Sequence, residues 1–135
     1  MPSRLFKPTF LLLGSLLLTP AFAGEQLRCE MNQGGRDLVL EARPDPDPYQ
    51  RHTQDVFGRF LVKAVVNGRA GHIDYVKLYV FAQGDEPTLL QQASYGRPIL
   101  TAVPAGQPFT GEQRIYTTGW EYELIYRCRL TEDKP

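Results

Sequence analysis

The pair His72-x-Asp74 has the residue types of a general base that is oriented by a carboxylate. In a strand, side chains two positions apart point to the same side, about 7 Å from each other, so an orienting hydrogen bond is feasible. Nucleophilic catalysis also needs an activated nucleophile. Ser94 is the only serine after residue 23, and the chain has no Gly-x-Ser-x-Gly elbow. A small hydrolase that uses His72 and Asp74 is therefore an alternative and not the preferred interpretation.

Three aspartates, Asp45, Asp47 and Asp55, have the oxygen atoms that a hard cation such as calcium prefers. Prolines flank the first two, and the glycine and closing glutamate of an EF-hand loop are missing. Two cysteines are too few for a cysteine-only zinc site. We therefore predict a stiff, solvated loop, with neither a metal site nor a cofactor.

A third set of residues combines aromatic rings with a cation. Tyr75, Lys77, Tyr79 and Phe81 alternate with aliphatic residues, so a strand would present all four on one face. Rings offer a large contact area at low entropic cost, and sheet faces that carry them are suited to binding proteins or sugars. The pattern predicts a binding surface, unless the proline-rich segment at 43–54 covers this face.

The first 23 residues have the features of a secretory signal peptide. The apolar run in this segment is shorter than the ~20 residues that a membrane span needs. We expect cleavage before Gly24, no membrane span afterwards, and a periplasmic or secreted product of 112 residues with a charge of 13 − 15 = −2. The three parts of the signal are a positive start with Arg4 and Lys7, an apolar run from Phe10 to Leu18, and the small-x-small pattern Ala21-Phe22-Ala23.

Cys29 and Cys128 lie near the two ends of this product, 128 − 29 = 99 positions apart. An even cysteine count in an exported chain favours a disulfide bond. In the chain-entropy model, such a crosslink contributes about 4.7 kcal/mol to stability. The sequence leaves open whether the bond lies within one sheet or between two sheets. A Cys-x-x-Cys motif is absent, so nothing supports an oxidoreductase.

The elements that must position these residues are short β-strands. Period-two alternation is clearest from Trp120 to Leu130, with Tyr126 and Cys128 on the core face and Arg127 and Arg129 on the other face beside glutamates. Turn signals separate about eight such segments, which is typical of an all-β antiparallel β-sandwich or small barrel. The predicted strands cover residues 27–31, 36–42, 56–66, 72–82, 89–95, 99–103, 113–117 and 120–130.

Two further details of this prediction depend on local patterns. Asn67-Gly68 is a strong signal for a two-residue hairpin turn, and it should join the third strand to the fourth. In the fourth strand, Ile73 lies two positions before Tyr75, so the two side chains should be on the same face. The polar segment at 43–54 holds three prolines and should form the longest loop.

Composition and net charge limit the classes of protein to which this chain could belong. An apolar share of 42% fits one globular domain, predicted at 24–135 after the signal peptide at 1–23. The balance of 15 basic against 15 acidic residues argues against a nucleic-acid partner.

The preferred interpretation is a non-enzymatic binding module that contacts a protein or an envelope glycan through Tyr75, Lys77, Tyr79 and Phe81. One alternative is a periplasmic inhibitor or immunity protein that acts against a cell-wall hydrolase such as lysozyme. Its inhibitory loop would be Pro44–Pro48 or Ser94–Pro98, because proline makes both segments rigid.

Overall fold

The computed structural model describes residues 2–5, 14, 24–119 and 121–133, and its first strand begins at Gly24. Most of the predicted signal peptide at 1–23 lies outside the described residues, and so does Trp120. Within the described residues, no helix combines the length and hydropathy that crossing a bilayer requires. The strands are β1 Gly24–Gln33, β2 Arg36–Ala42, β3 His52–Val56, β4 Phe60–Arg69, β5 His72–Ala82, β6 Thr88–Gly96, β7 Gln113–Tyr116 and β8 Glu123–Asp133, and a helical turn, α1, covers Arg97–Leu100.

The strands form two four-stranded antiparallel sheets, as the predicted all-β sandwich requires. The first sheet has the order β2-β1-β8-β7 and the second has the order β3-β4-β5-β6. Alternate residues of each strand point inward, because a strand with one face on a core must place its apolar side chains at every second position. The core contains side chains from both sheets, among them Leu27, Phe60, Leu78, Leu124 and Tyr126.

The disulfide bond between Cys29 and Cys128 forms as predicted, and it lies within the first sheet. The two residues are direct partners on β1 and β8, with their Cα atoms 4.1 Å apart. Both cysteines are almost fully buried. The crosslink therefore joins the first strand of the domain to the last, and 99 positions of sequence separate its ends.

Turns with two consecutive left-handed residues close three of the hairpins. Gly34 and Gly35 turn β1 into β2, Phe57 and Gly58 turn β3 into β4, and both residues of each pair have positive φ. Ala70 and Gly71 form the third such turn, between β4 and β5, with φ of 53° and 72°. Two consecutive residues with positive φ match the right-handed twist of the flanking strands, as in type I′ turns.

The predicted turn at Asn67-Gly68 is wrong, because both residues belong to β4. Gly68 allows the backbones of β4 and β5 to lie unusually close together, because a Cβ at this position would be 1.9 Å from the carbonyl oxygen of His72. The pairing of β4 with β5 shifts at this point, since Asn67 is opposite Tyr75 while Gly68 is opposite Ile73. This bulge leaves one extra residue in β5 and turns Ile73 into the core, so the prediction that Ile73 shares a face with Tyr75 is also wrong.

The predicted loop at 43–54 ends earlier than expected, because His52 to Gln54 belong to β3. The segment 56–66 is not one strand either, since the turn at 57–59 divides it between β3 and β4. The remaining loop is fastened to the edge of β4, where the Asp45 N–H donates to Val66 O (2.9 Å) and the Gly68 N–H donates to Asp45 O (3.1 Å). These bonds extend the sheet edge beyond β3.

Two strand predictions in the second half of the chain need correction. Residues 99–103 form no strand, because Pro98 stands in the first turn of α1, a position that suits proline. Leu100 on this helical turn is buried in the core. The last strand begins at Glu123 and not at residue 120, and its predicted faces are confirmed, with Tyr126 and Cys128 inside and Arg127 outside.

Candidate binding face

The four residues predicted to form a binding surface lie on the outer side of the second sheet. Tyr75, Lys77, Tyr79 and Phe81 alternate along β5 with the buried residues Val76, Leu78 and Val80. Each of the four is half-buried, so part of its side chain remains accessible. Backbone bonds of Asp45 hold the 43–54 segment at the edge of β4, and Arg51 of the same segment lies beside Tyr79 and Phe81.

Lysine side chains lie against the rings of this face. The Lys77 Nζ is 5.3 Å from the ring centroid of Tyr75, and the Lys63 Nζ is 5.0 Å from that of Phe81. Lys63 comes from β4, where it stands opposite Tyr79. These distances are within the range of cation–π attraction. We call Tyr75, Lys77, Tyr79, Phe81 and Lys63 the aromatic–lysine face.

A shallow hollow of about 230 Å³ lies at one end of the aromatic–lysine face. Arg51, from the end of the proline-rich loop, and Leu89, from β6, complete its lining together with Lys63, Tyr79 and Phe81. Lys63 and Arg51 were not among the candidate residues predicted from the sequence. Strand pairing brings Lys63 beside β5, and Arg51 directly precedes β3, the neighbour of β4.

The outer side of the first sheet is different, because glutamates neutralise its arginines. Arg114 bonds to both Glu112 and Glu123 at 2.8 Å. The hydrogen bond from Arg114, helped by Arg127, lowers the pKa of the Glu112 carboxyl. We call this surface the ion-paired face. Its pairs are Arg28 with Glu30 and Glu41, Arg114 with Glu112 and Glu123, Arg127 with Glu112, and Arg129 with Glu30.

His72 and Asp74 do come together, at the β4–β5 hairpin. The His72 Nε2 is 3.5 Å from Asp74 Oδ1, and its Nδ1 is 3.6 Å from Glu25 Oε1. Both ring nitrogens thus face carboxylates. Ser94 lies opposite Lys77 in β6, five positions along β5 from His72 and so about 15 Å away. The structure therefore does not bring Ser94 to His72, and these two residues do not form a triad with Asp74.

The three aspartates of the predicted acidic loop are not gathered into a site. The carboxylates of Asp45 and Asp47 each accept a backbone N–H from two residues further on, at 2.7 and 2.9 Å. Asp55 lies opposite Leu61 in β3 and accepts a hydrogen bond from the side chain of Gln83. In the part of the chain that the structure describes, no three His, Cys, Asp or Glu residues are grouped as a metal ion would require.

Of the two loops proposed for an inhibitor, only one is a loop. Ser94 to Gly96 complete β6, and Arg97 and Pro98 begin α1. The Pro44–Pro48 segment is a loop, and it is held rigid by the two aspartate bonds and by its attachment to β4. Tyr49 follows it with 82% of its surface exposed.

Comparison with known proteins adds no relative to these observations. No family model, curated protein or solved structure matches the chain. We therefore infer a function from the two outer faces and from the loop that precedes Tyr49.

Proposed function

We propose that this protein is an exported, non-enzymatic binding module that contacts a protein or an envelope glycan through the aromatic–lysine face. Export is supported by the predicted signal peptide, and the disulfide bond is of the kind that persists in an oxidising compartment. The disulfide and the paired sheets give a rigid support, so little conformational entropy is lost when a partner binds.

One observation carries the proposal, namely the contrast between the two outer faces. On the ion-paired face, every arginine of the network already bonds to a glutamate. On the aromatic–lysine face, the two lysines contact rings, and among the described residues neither is in a salt bridge. Accessible rings beside cations without counter-ions are a surface that is able to bind a ligand.

A pull-down from a periplasmic extract tests this proposal. The wild-type protein should retain a partner that the variant Tyr75→Ala/Tyr79→Ala loses. The matched control is Tyr116→Ala, which removes an exposed ring from the first sheet and should retain the partner. If the double variant Tyr75→Ala/Tyr79→Ala captures the same partners as the wild type, the binding surface is not on this face.

A second candidate function is inhibition of a cell-wall hydrolase, and the rigid loop with Tyr49 favours it. Protease and hydrolase inhibitors bind tightly when a loop is held in its bound conformation before contact. Asp45 and Asp47 hold the loop through local hydrogen bonds, and Tyr49 is an exposed aromatic anchor. Titration against lysozyme and an amidase should then give stoichiometric inhibition, and Tyr49→Ala should abolish it. Full hydrolase activity at excess protein would exclude those two targets.

A further inference from the structure

The aromatic–lysine face presents its rings in a row along β5, and a small hollow lies at one end of this row. Tyr75, Tyr79 and Phe81 project from one side of β5, where same-side residues follow at about 6.8 Å, so the row is about 20 Å long. The hollow at its end holds only about 230 Å³. Enclosed sites for small molecules usually hold about 300–1,000 Å³. The shape therefore fits an extended chain that lies along β5.

The charge of this face is complementary to an anionic chain. Lys77 stands within the row, Lys63 stands beside it, and Arg51 lines the hollow. Within the described residues, none of these three cations has a salt-bridge partner. Asp55, on the same side of the sheet, is hydrogen-bonded to Gln83. The surplus positive charge raises the local concentration of negatively charged ligands.

The position of the lysines favours a sugar chain over an acidic protein. The centres of protein–protein interfaces are depleted in lysine, because the burial of its strongly hydrated ammonium is costly. Lys77 lies in the middle of the row, between Tyr75 and Tyr79. In an acidic sugar chain, each sugar unit has an apolar C–H face and a carboxylate next to it. Such a chain can therefore contact aromatic rings and ammonium groups in alternation, and neither the carboxylates nor the ammonium groups have to lose all of their water.

Building on the proposed function, we infer that the aromatic–lysine face binds a linear polysaccharide whose sugar units carry carboxylates. The rings of Tyr75, Tyr79 and Phe81 contact the C–H faces of successive sugars. Lys63 and Lys77 neutralise the carboxylates between them, and Arg51 adds a contact at the hollow. Because the rings lie in a row along β5 and the hollow beside them is small, the face binds the interior of a chain and does not require a chain end.

Binding of the purified exported protein to three carboxylated polysaccharides, polygalacturonate, alginate and hyaluronate, tests this inference. Dextran serves as a neutral polysaccharide and poly-L-glutamate as an acidic polymer without sugar. We expect binding to at least one carboxylated polysaccharide, weaker binding to dextran and to poly-L-glutamate, and a loss of affinity of about tenfold between ~50 and ~300 mM NaCl.

Paired variants separate the contribution of charge from general effects. Lys63→Gln/Lys77→Gln should weaken binding by about tenfold or more. The control Arg28→Gln/Arg114→Gln removes the same charge from the ion-paired face and should change affinity by less than about twofold. Circular dichroism and melting temperature show that each variant folds. Equal losses in the two double variants would overturn the inference, because net charge alone would then explain binding.

A second pair of outcomes separates this inference from the proposed function. Tyr75→Ala/Tyr79→Ala should weaken polysaccharide binding by about tenfold. If it has no effect, or if poly-L-glutamate binds as tightly as the sugars, the face acts as a simple polyelectrolyte site and the inference is wrong. If no carboxylated polysaccharide binds but a pull-down still retains a tyrosine-dependent protein, the glycan assignment is wrong and the binding module stands. Without either kind of binding, both proposals are wrong.

Discussion

Replacement of Gly68 by alanine should be among the most damaging single-methyl changes in this domain. A Cβ at this position would lie 1.9 Å from the His72 carbonyl oxygen and 2.9 Å from its carbonyl carbon. Real Cβ contacts are essentially never shorter than 3.0 Å, so the two strands would have to separate by about 1 Å at the bulge. The obstacle is backbone in a paired strand, so a side-chain rotation cannot relieve it.

The cost follows from two contributions. Overpacking that forces the backbone to shift costs about 1–3 kcal/mol. The shift also strains the bond from the Gly68 N–H to Asp45 O, which fastens the proline-rich loop to β4 and contributes about 1 kcal/mol. We therefore expect Gly68→Ala to lower the free energy of unfolding by about 3 kcal/mol, which corresponds to a fall in melting temperature of more than ~10 °C for a domain of this size.

Urea denaturation followed by circular dichroism measures this loss. The matched control is Gly84→Ala, since Gly84 is exposed, lacks a positive φ, and would place its Cβ no closer than 3.8 Å to another residue. The control should change stability by less than about 0.5 kcal/mol. If Gly68 were instead the second residue of an exposed hairpin turn, alanine would cost only about 1 kcal/mol. A loss that small, or equal to the control, would refute the close approach of the two strands.

Three further predictions concern the crosslink, a turn and a buried phenol. Cys29→Ala/Cys128→Ala should lower the free energy of unfolding, measured in urea without reductant, by about 4 kcal/mol. Dithiothreitol should destabilise the wild type but have no effect on this variant, which has no disulfide to reduce. Ala70→Asn should raise stability by about 0.5–1 kcal/mol in the same assay, because asparagine tolerates the left-handed backbone better than alanine; a destabilised variant would contradict the type I′ turn. Burial raises the pKa of the Tyr126 phenol above its usual value of 10.0. The folded state therefore keeps a proton that the unfolded state loses, and stability should fall as the pH rises above about 10. The urea midpoint should fall less between pH 9 and pH 11 in Tyr126→Phe than in the wild type, and an equal fall would contradict the assignment.

Much of the architecture could be predicted because several strands carry a one-sided pattern. The alternation of Leu124, Tyr126 and Cys128 with Ile125 and Arg127 defined the core face of the last strand. The bounds of β5 were predicted in full. The disulfide followed from cysteine count and position. Whether it lay within a sheet was not predictable, because that depends on β1 and β8 being neighbours, which only the packing of the whole chain decides.

The errors come from places where tertiary contacts override local preference. Phe57 and Ala70 occupy left-handed turn positions that such residues rarely adopt, so neither turn had a sequence signal at its first residue. β3 is largely polar and has one buried residue, Val56, so its alternation was hidden among the residues of a loop. The apolar run at 99–103 resembled a strand, but one helical turn suffices to bury Leu100.

The candidate site was predictable in part for the same reason. The row on β5 follows from alternation within one segment, and alternation does not depend on the partner strand. Lys63 depends on register: a turn at Asn67-Gly68 would have placed it opposite His72, whereas the turn at Ala70-Gly71 and the bulge place it opposite Tyr79. A single error in turn position thus removed one of the two lysines from the predicted surface.

The two outer faces differ in what a partner would have to displace. A ligand on the ion-paired face must compete with carboxylates that already contact Arg114 and Arg127, so any new contact replaces an existing one and little net affinity remains. On the aromatic–lysine face, Lys63 and Lys77 exchange only water and a ring contact for an incoming anion. On the first sheet, arginines are already paired with glutamates. On the second sheet, Lys63 and Lys77 lie beside aromatic rings and are therefore available to bind an anion. This difference in available binding energy makes the second sheet the functional side of the sandwich in our proposal.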